Sequence, residues 1–154
     1  MTKCGAASAR VTTASRLGRA AWFFGNAYEG AVGVPQLIAS ANPRAGVLTT
    51  GSPLRYFGPV ASAAIGGTAV VLTMAWQRGA DRRAAVAATA TLSAAMGLSA
   101  YLIRSINIPL LNGEVEVEMR QRLISRWHKG NAVRLCLLAA TEIFMRRVEA
   151  SVAD

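Results

Sequence analysis

Four apolar stretches, each close in length to the thickness of a membrane, constrain the fold of this chain more than any other feature. They run from Leu17 to Ser40, Tyr56 to Trp76, Ala84 to Ile106 and Trp127 to Met145. A hydrocarbon core about 30 Å thick requires roughly 20 residues of helix. Of the 154 residues, 53% are hydrophobic and 16% are charged, which is outside the range of soluble domains. The sequence predicts one all-α domain, an integral membrane four-helix bundle.

Basic residues between the apolar stretches set the expected orientation. Nine of the seventeen Lys and Arg residues fall on one side of a four-pass topology: Lys3, Arg10, Arg16, Arg19, Arg78, Arg82, Arg83, Arg146 and Arg147. Glu114, Glu116 and Glu118 fall on the other side, where some arginines weaken the bias. The positive-inside rule predicts a multi-pass protein of the cell membrane with both termini cytoplasmic. The first stretch is too long and too polar for a cleaved signal peptide, so it should remain as a helix.

The connections between the stretches contain turn-forming residues. "SANPRAGVLTTGSP" is typical of a loop, "QRGADRR" of a tight basic turn, and Pro109 should end the third helix. The alternation in "GEVEVEMR" fits either a short strand or an interfacial helix. Small residues throughout the second and third helices favour close packing of membrane helices, and the bundle is also compatible with a homo-oligomer.

Several classes of function are excluded by what the sequence lacks. The formal charge of +9 does not form a basic stripe with interleaved aromatics, so no nucleic acid is expected as a partner. Cys4 and Cys136 do not form a CxxC pair, and a single histidine cannot supply a multi-histidine metal site. "AIGGTAV" lies inside an apolar stretch, so helix packing explains it better than nucleotide binding. We therefore expect no metal and no tightly held cofactor.

Polar residues recur on one face of the fourth stretch. At about 100° per residue, four of them fall within one sector: His128 at 0°, Asn131 near 300°, Arg134 near 240° and Glu142 near 320°. The same count groups Asn26, Glu29, Gly33 and Gln36 on the first helix, and Ser93, Gly97, Arg104 and Asn107 on the third. We expect these stripes to face one another in the outer half of the bundle, near Arg55, Tyr56 and Trp127.

Ionisable residues within such helices are candidates for functional sites, because burying each charge costs at least about 2.5 kcal/mol on insertion scales. Glu29 is expected close to the midplane and Arg134 roughly 10 Å below the outer surface, so the two could meet across the bundle. Such a pair is either part of a site or a structural link between helices. His128 is either a base or an ordinary interfacial residue beside Trp127.

The remaining polar residues also have simpler interpretations. Glu142 is near the cytoplasmic end and either snorkels to the interface or pairs with Arg146, one helical turn further along. Arg55 and Arg104 bind either substrate or lipid headgroups. Asn107 either faces the site or caps the end of the third helix.

The ends of the third and fourth helices resemble a known family. "INIPLLN", a charged loop and "RWHKGNAVR" are similar to the small four-helix membrane proteins of the anthrone oxygenase family, with matches at Asn107, Pro109, Trp127, His128, Asn131 and Arg134. The resemblance covers the layout of the whole chain, but "GNAYEGAVGVP", which contains Glu29, departs from the pattern. The resemblance implies that a lipophilic, anthrone-type aromatic polyketide is oxidised by O₂ without flavin or metal.

That chemistry requires a base, donors for an oxyanion and an apolar pocket. The resemblance implies His128 as the base, an oxyanion held by Arg134, Asn107 and Asn131, and a flat substrate stacked on Trp127 and Tyr56. The catalytic candidates are His128, Glu29, Arg134 and Asn107. The substrate-binding candidates are Asn26, Arg55, Tyr56, Arg104, Trp127 and Asn131.

Two other functions fit the same residues. In an isomerase or cyclase of a polyketide or terpenoid, Glu29 would act as a general acid with His128 as its partner. Such an enzyme would work without O₂, which separates it from an oxygenase. In a non-catalytic scaffold or lipid-binding subunit, the polar residues would stabilise the bundle or hold a partner, and substituting them would abolish no turnover.

Overall fold

Residues 3–40, 53–113 and 115–152 are described by the computed structural model, and within these ranges the chain forms helices and turns but no strand. The long helices are α1 (Lys3–Val32), α3 (Pro53–Gln77), α4 (Arg82–Leu102) and α6 (Val117–Ala150). Two short helices, α2 (Val34–Ser40) and α5 (Ile108–Asn112), follow α1 and α4. The prediction of an all-α fold is confirmed for this part of the chain.

The four long helices pack side by side. α1 lies along α3, α4 lies along α6, and α1 also contacts α6. In α6 the buried positions 127, 131, 134, 138, 141, 145 and 148 are separated by alternating steps of four and three residues. This heptad spacing keeps one seam of the helix toward its neighbours, as in four-helix bundles.

α1 packs closely against the backbone of α3 at Gly18. A Cβ atom placed on Gly18 would lie 3.1 Å from Ala64 Cα. We expect Gly18→Ala to lower the free energy of unfolding by about 1–3 kcal/mol, because the backbone of α3 would have to shift. Gly66→Ala is the matched control, since a Cβ there meets nothing within 4 Å. Unfolding in a detergent titration measures both variants, and equal losses would contradict this contact.

The first predicted helix, 17–40, differs from the structure at both ends. α1 already begins at Lys3, so the basic leader is helical. Gly33, with a φ of 67°, interrupts the helix before α2. Pro35 then occupies the first turn of α2, where its missing N–H is not needed. At the end of this leader Arg16 and Arg19 contact carboxylates on α6, and hydropathy does not reveal such long-range contacts. The predicted helix 56–76 corresponds to α3.

The third predicted helix, 84–106, continues past Pro109, which was expected to end it. A π-helical turn (Ile103–Asn107) precedes the proline, and α5 extends the helix to Asn112. Within this turn the N–H of Ile108 donates to the carbonyl of Ile103, five residues earlier. The wider turn leads directly into α5, which has Pro109 in its first turn, and Gly113 with a φ of 73° follows its last residue.

The fourth predicted helix, 127–145, is also longer in the structure. α6 begins at Val117, so the last part of "GEVEVEMR" is helical rather than a strand. Glu114 lies outside the described residues. At its other end α6 continues to Ala150, which places Glu149 beside Arg16 and Arg19 in the middle of α1.

Two stretches of helix in the described part of the chain are long and apolar enough to cross a membrane: Gly58–Gln77 and Arg82–Asn112. They coincide with the second and third predicted spans. α1 and α6 do not meet this criterion of length and composition, because polar and charged residues are interspersed among their apolar ones.

Candidate functional site

A buried ion pair joins α1 to α6 in the centre of the bundle. Arg134 Nη2 lies 3.2 Å from Glu29 Oε2, and both side chains are buried. Asn131, one turn earlier on α6, accepts hydrogen bonds from Arg134 Nη2 at 2.6 Å and Nε at 3.2 Å. The guanidinium is therefore held between a carboxylate and an amide oxygen, and Glu29 and Arg134 do meet.

A chain of amide contacts supports this pair from α1. Asn131 Nδ2 donates to the backbone carbonyl of Asn26 at 3.0 Å, and Asn26 Nδ2 donates to the carbonyl of Trp22 at 2.7 Å. Gly30 makes room for this arrangement, because a Cβ there would lie 2.8 Å from Asn131 Nδ2. Both ends of the Asn131 amide are thus engaged, so its role is to position Arg134.

A cavity of about 130 Å³ lies beside the ion pair. It is lined by Trp22, Asn26, Glu29, Gly58, Ala61, Ser99, Ile103, Asn107, Trp127 and Arg134. Arg134 Cζ is 5.9 Å from the centroid of the Trp127 ring, within the range of a cation–π contact. At Gly58, a Cβ would meet no atom within 4 Å, so this lining position borders open space. The cavity thus combines a carboxylate, a guanidinium and an aromatic wall.

Asn107 brings an unused hydrogen-bond acceptor to this cavity. Its Oδ1 is the one buried side-chain polar atom without a hydrogen-bond partner among the described residues. Leaving such a group unpaired costs about 1–3 kcal/mol, so a ligand that donates to it would recover that cost. Asn107 ends the π-helical turn, a feature that is frequent at functional sites.

His128 does not lie with these residues. Its imidazole is half-buried, with Nε2 3.0 Å from Gln36 Nε2 of α2, and it is not among the residues lining the cavity. On a helical wheel with His128 at 0°, the buried residues of α6 are centred near 250° and Trp127 lies near 260°. His128 is therefore about 110° from the centre of the buried face. The expectation that His128 shares the face of Arg134 is therefore wrong, and Trp127 occupies that face instead.

The stripe predicted on the third helix is also divided. Ser93, Gly97 and Arg104 are exposed, whereas Asn107 faces the cavity. A π-helical turn contains one residue more than an α-helical turn, so it changes the angle between Arg104 and Asn107. The side chains of Arg55 and Tyr56 lie outside the described residues.

A second set of buried charges was not predicted. Arg19 of α1 is buried and contacts Glu142 Oε2 at 2.7 Å and Glu149 Oε1 at 3.2 Å. Glu142 also accepts from Arg146 Nε at 3.2 Å, which is one of the two arrangements expected for it. The sequence did contain a signal for these buried charges. Alternating steps of four and three residues place one set of side chains on a single seam of α1: Ser15, Arg19, Trp22, Asn26 and Glu29.

Comparisons with protein-family models, curated proteins and solved structures find no match to this chain. The assignment of a function therefore depends on the geometry of the cavity and on the chemistry of the residues around it.

Proposed function

We propose that all four long helices span the cell membrane, with both termini cytoplasmic. The distribution of side chains supports this. In 17–32, 58–77, 84–103 and 130–145 the only Asp, Glu, Lys or Arg residues are Arg19, Glu29, Arg134 and Glu142, and none is exposed. Large apolar side chains in the same segments are exposed instead, including Leu17, Phe24, Tyr28, Val133 and Ile143. Charges inside and apolar groups outside suit a bundle surrounded by lipid.

Within that bundle, the proposed function is a cofactor-independent oxygenase that acts on a lipophilic aromatic polyketide of the anthrone type. The balanced reaction converts an anthrone and one O₂ into the quinone and water. The observation that carries the proposal is the cavity in which the Glu29–Arg134 pair lies beside Trp127 and the unpartnered Asn107 Oδ1.

Each cavity residue has a defined part in this reaction. Glu29 removes the acidic proton from the ring carbon, which leaves a delocalised anion. Arg134 stabilises the developing oxyanion with its guanidinium, and Asn107 Oδ1 accepts a hydrogen bond from a phenolic O–H. Trp127 stacks on the flat ring system. The resemblance implied His128 as the base, whereas this proposal gives that role to Glu29, which lines the cavity.

The size of the cavity indicates how a substrate enters. At about 130 Å³ it is smaller than typical small-molecule pockets of roughly 300–1,000 Å³. We therefore place only the reacting edge of the substrate inside, with the other rings passing the open position at Gly58 toward lipid.

A phenylalanine at Gly58 should therefore block the site. We expect Gly58→Phe to raise KM or abolish turnover without unfolding the protein, because a Cβ at this position meets no atom within 4 Å. Gly66→Phe is the matched control, since it lies on the same helix in equally open space but does not line the cavity. Steady-state kinetics on both variants checks this, and equal turnover would place the substrate elsewhere.

Oxygen uptake tests the proposed reaction. Purified protein freed of metal and flavin is reconstituted in liposomes and offered a panel of anthrones, with uptake in protein-free liposomes subtracted. We expect one O₂ to be consumed for each quinone formed, with water rather than hydrogen peroxide as the other product. If no uptake above the background occurs with any anthrone, the oxygenase assignment is wrong.

An acid–base isomerase or cyclase is the second candidate, and the position of Glu29 in the cavity favours it. Protonated Glu29 would donate to a polyketide or terpenoid while Arg134 stabilises the charge that develops. Conversion of such a substrate under argon, at the rate seen in air, would assign the cavity to this chemistry. If neither reaction occurs and substitutions at Glu29 change only stability, the bundle is a scaffold.

A further inference from the structure

A second and larger cavity lies between α1 and α6, in the half of the bundle that contains both termini. Its volume is about 390 Å³, within the range of pockets that hold small molecules. We call it the basic cleft and define it by Arg16, Arg19, Phe23, Phe24, Glu142 and Arg146. It shares the wall formed by Trp22 with the cavity at Glu29 but lies nearer the termini, and the proposed reaction does not use it.

The charges of the basic cleft do not balance. Arg19 is fully engaged, because it donates to Ser15, Glu142 and Glu149. Arg16 contacts Glu149 at 2.6 Å and Arg146 contacts Glu142 at 3.2 Å, yet their side chains remain 56% and 76% exposed. Three guanidinium groups thus face two carboxylates, and the excess positive charge lies at the exposed mouth.

The rest of the basic cleft is apolar. Trp22, Leu92 and Leu138 form a buried floor. Phe24 is 68% exposed and Ile143 is 54% exposed at the rim, where lipid surrounds the proposed bundle. Two guanidinium groups at one end of an apolar groove match a molecule that has an anionic head and an aliphatic tail.

We infer that the basic cleft binds one anionic phospholipid of the cytoplasmic leaflet. The phosphate accepts hydrogen bonds from Arg16 and Arg146, and one acyl chain lies against Phe23 and Phe24 over the apolar floor. Glu142 and Glu149 hold the arginines in place and leave the net charge that selects an anion over a zwitterion. This inference depends on the proposed position in the membrane but not on the oxygenase reaction.

Native mass spectrometry of the full chain in detergent tests the binding. We expect one phosphatidylglycerol to be retained per chain, at a concentration where phosphatidylcholine with the same acyl chains is not. Each arginine removed should weaken binding about five-fold, so the double variant Arg16→Gln with Arg146→Gln should bind about 25-fold more weakly. Equal retention of both lipids would overturn the inference.

Two further variants distinguish a built site from general attraction to a basic surface. Arg82→Gln with Arg147→Gln removes two exposed arginines that do not line the basic cleft, so retention of phosphatidylglycerol should be unchanged. Ala139→Phe fills the cleft at an exposed lining position while leaving every arginine in place, so retention should be lost. Unchanged retention in Ala139→Phe, or equal weakening by both arginine pairs, would show that no such site exists.

Discussion

Glu29→Gln is expected to lower kcat by about 10²–10⁴-fold, the usual contribution of a positioned general base. The glutamine keeps the shape of the side chain and still offers an oxygen to Arg134, so the shape of the cavity should be kept, although the buried guanidinium loses its paired charge and the free energy of unfolding falls. What it loses is the ability to take a proton from the substrate. Oxygen uptake in liposomes with saturating anthrone measures the effect, and KM should change much less than kcat.

Two control variants make this result specific. Glu149→Gln alters another buried glutamate that is paired with arginine, but it lies far along α6 from the cavity. We expect its kcat to match that of the unmodified protein. His128→Ala should likewise retain most activity, because the imidazole contacts Gln36 rather than the cavity. A large loss in His128→Ala with little loss in Glu29→Gln would return the role of base to His128.

Arg134→Met should be the most destabilising single substitution in the cavity. It leaves the Glu29 carboxylate buried without the guanidinium that lies 3.2 Å away. Removing one partner of a buried ion pair costs about 3–5 kcal/mol. The free energy of unfolding, measured in a detergent titration of the reconstituted protein, should fall by this amount.

Restoring the balance of charge should recover part of that loss. The double variant Arg134→Met with Glu29→Leu contains neither charge, so it should be more stable than Arg134→Met alone. Arg122→Met serves as the exposed comparison, because Arg122 and Glu118 form an ion pair 3.7 Å apart that is open to solvent. Its effect should stay below about 1 kcal/mol. A similar small effect for Arg134→Met would mean that the buried pair contributes little.

Helical periodicity grouped four residues that the structure also brings together. It placed Asn26 and Glu29 on one face of α1 and Asn131 and Arg134 on one face of α6, and these four side chains line or support the cavity. The grouping is correct because both helices are regular, and because the cost of burying a charge limits the helix faces on which these residues can lie.

Helical periodicity gave wrong results where the sequence did not show which residues form the buried face. His128 was placed on the same face as Arg134, although Trp127 faces the interior and His128 lies at the edge of that face. On α4, the π-helical turn changes the angular spacing just before Asn107, and nothing in the local sequence marks it. A wheel drawn at constant angle therefore grouped Asn107 with exposed residues.

The helical leader was missed for a different reason. Its basic residues fit the positive-inside rule, which treats them as flanking charges and gives them no partner. In the structure Arg16 and Arg19 meet carboxylates more than a hundred residues away. Such contacts depend on how α1 and α6 pack, which neither hydropathy nor local spacing encodes.

The most direct test of the central claim is the reactivity of Cys136, because every proposal here requires α6 to cross the membrane with its charges turned inward. Cys136 is exposed, on the face of α6 proposed to contact lipid. In a Cys4→Ser background, we predict that a charged maleimide leaves Cys136 unmodified in intact membranes and labels it after denaturation in detergent. Lys129→Cys, in a chain without other cysteines, should be labelled from outside. If Cys136 in membranes reacts as fast as a cysteine at position 129, α6 lies in water and the membrane bundle is wrong.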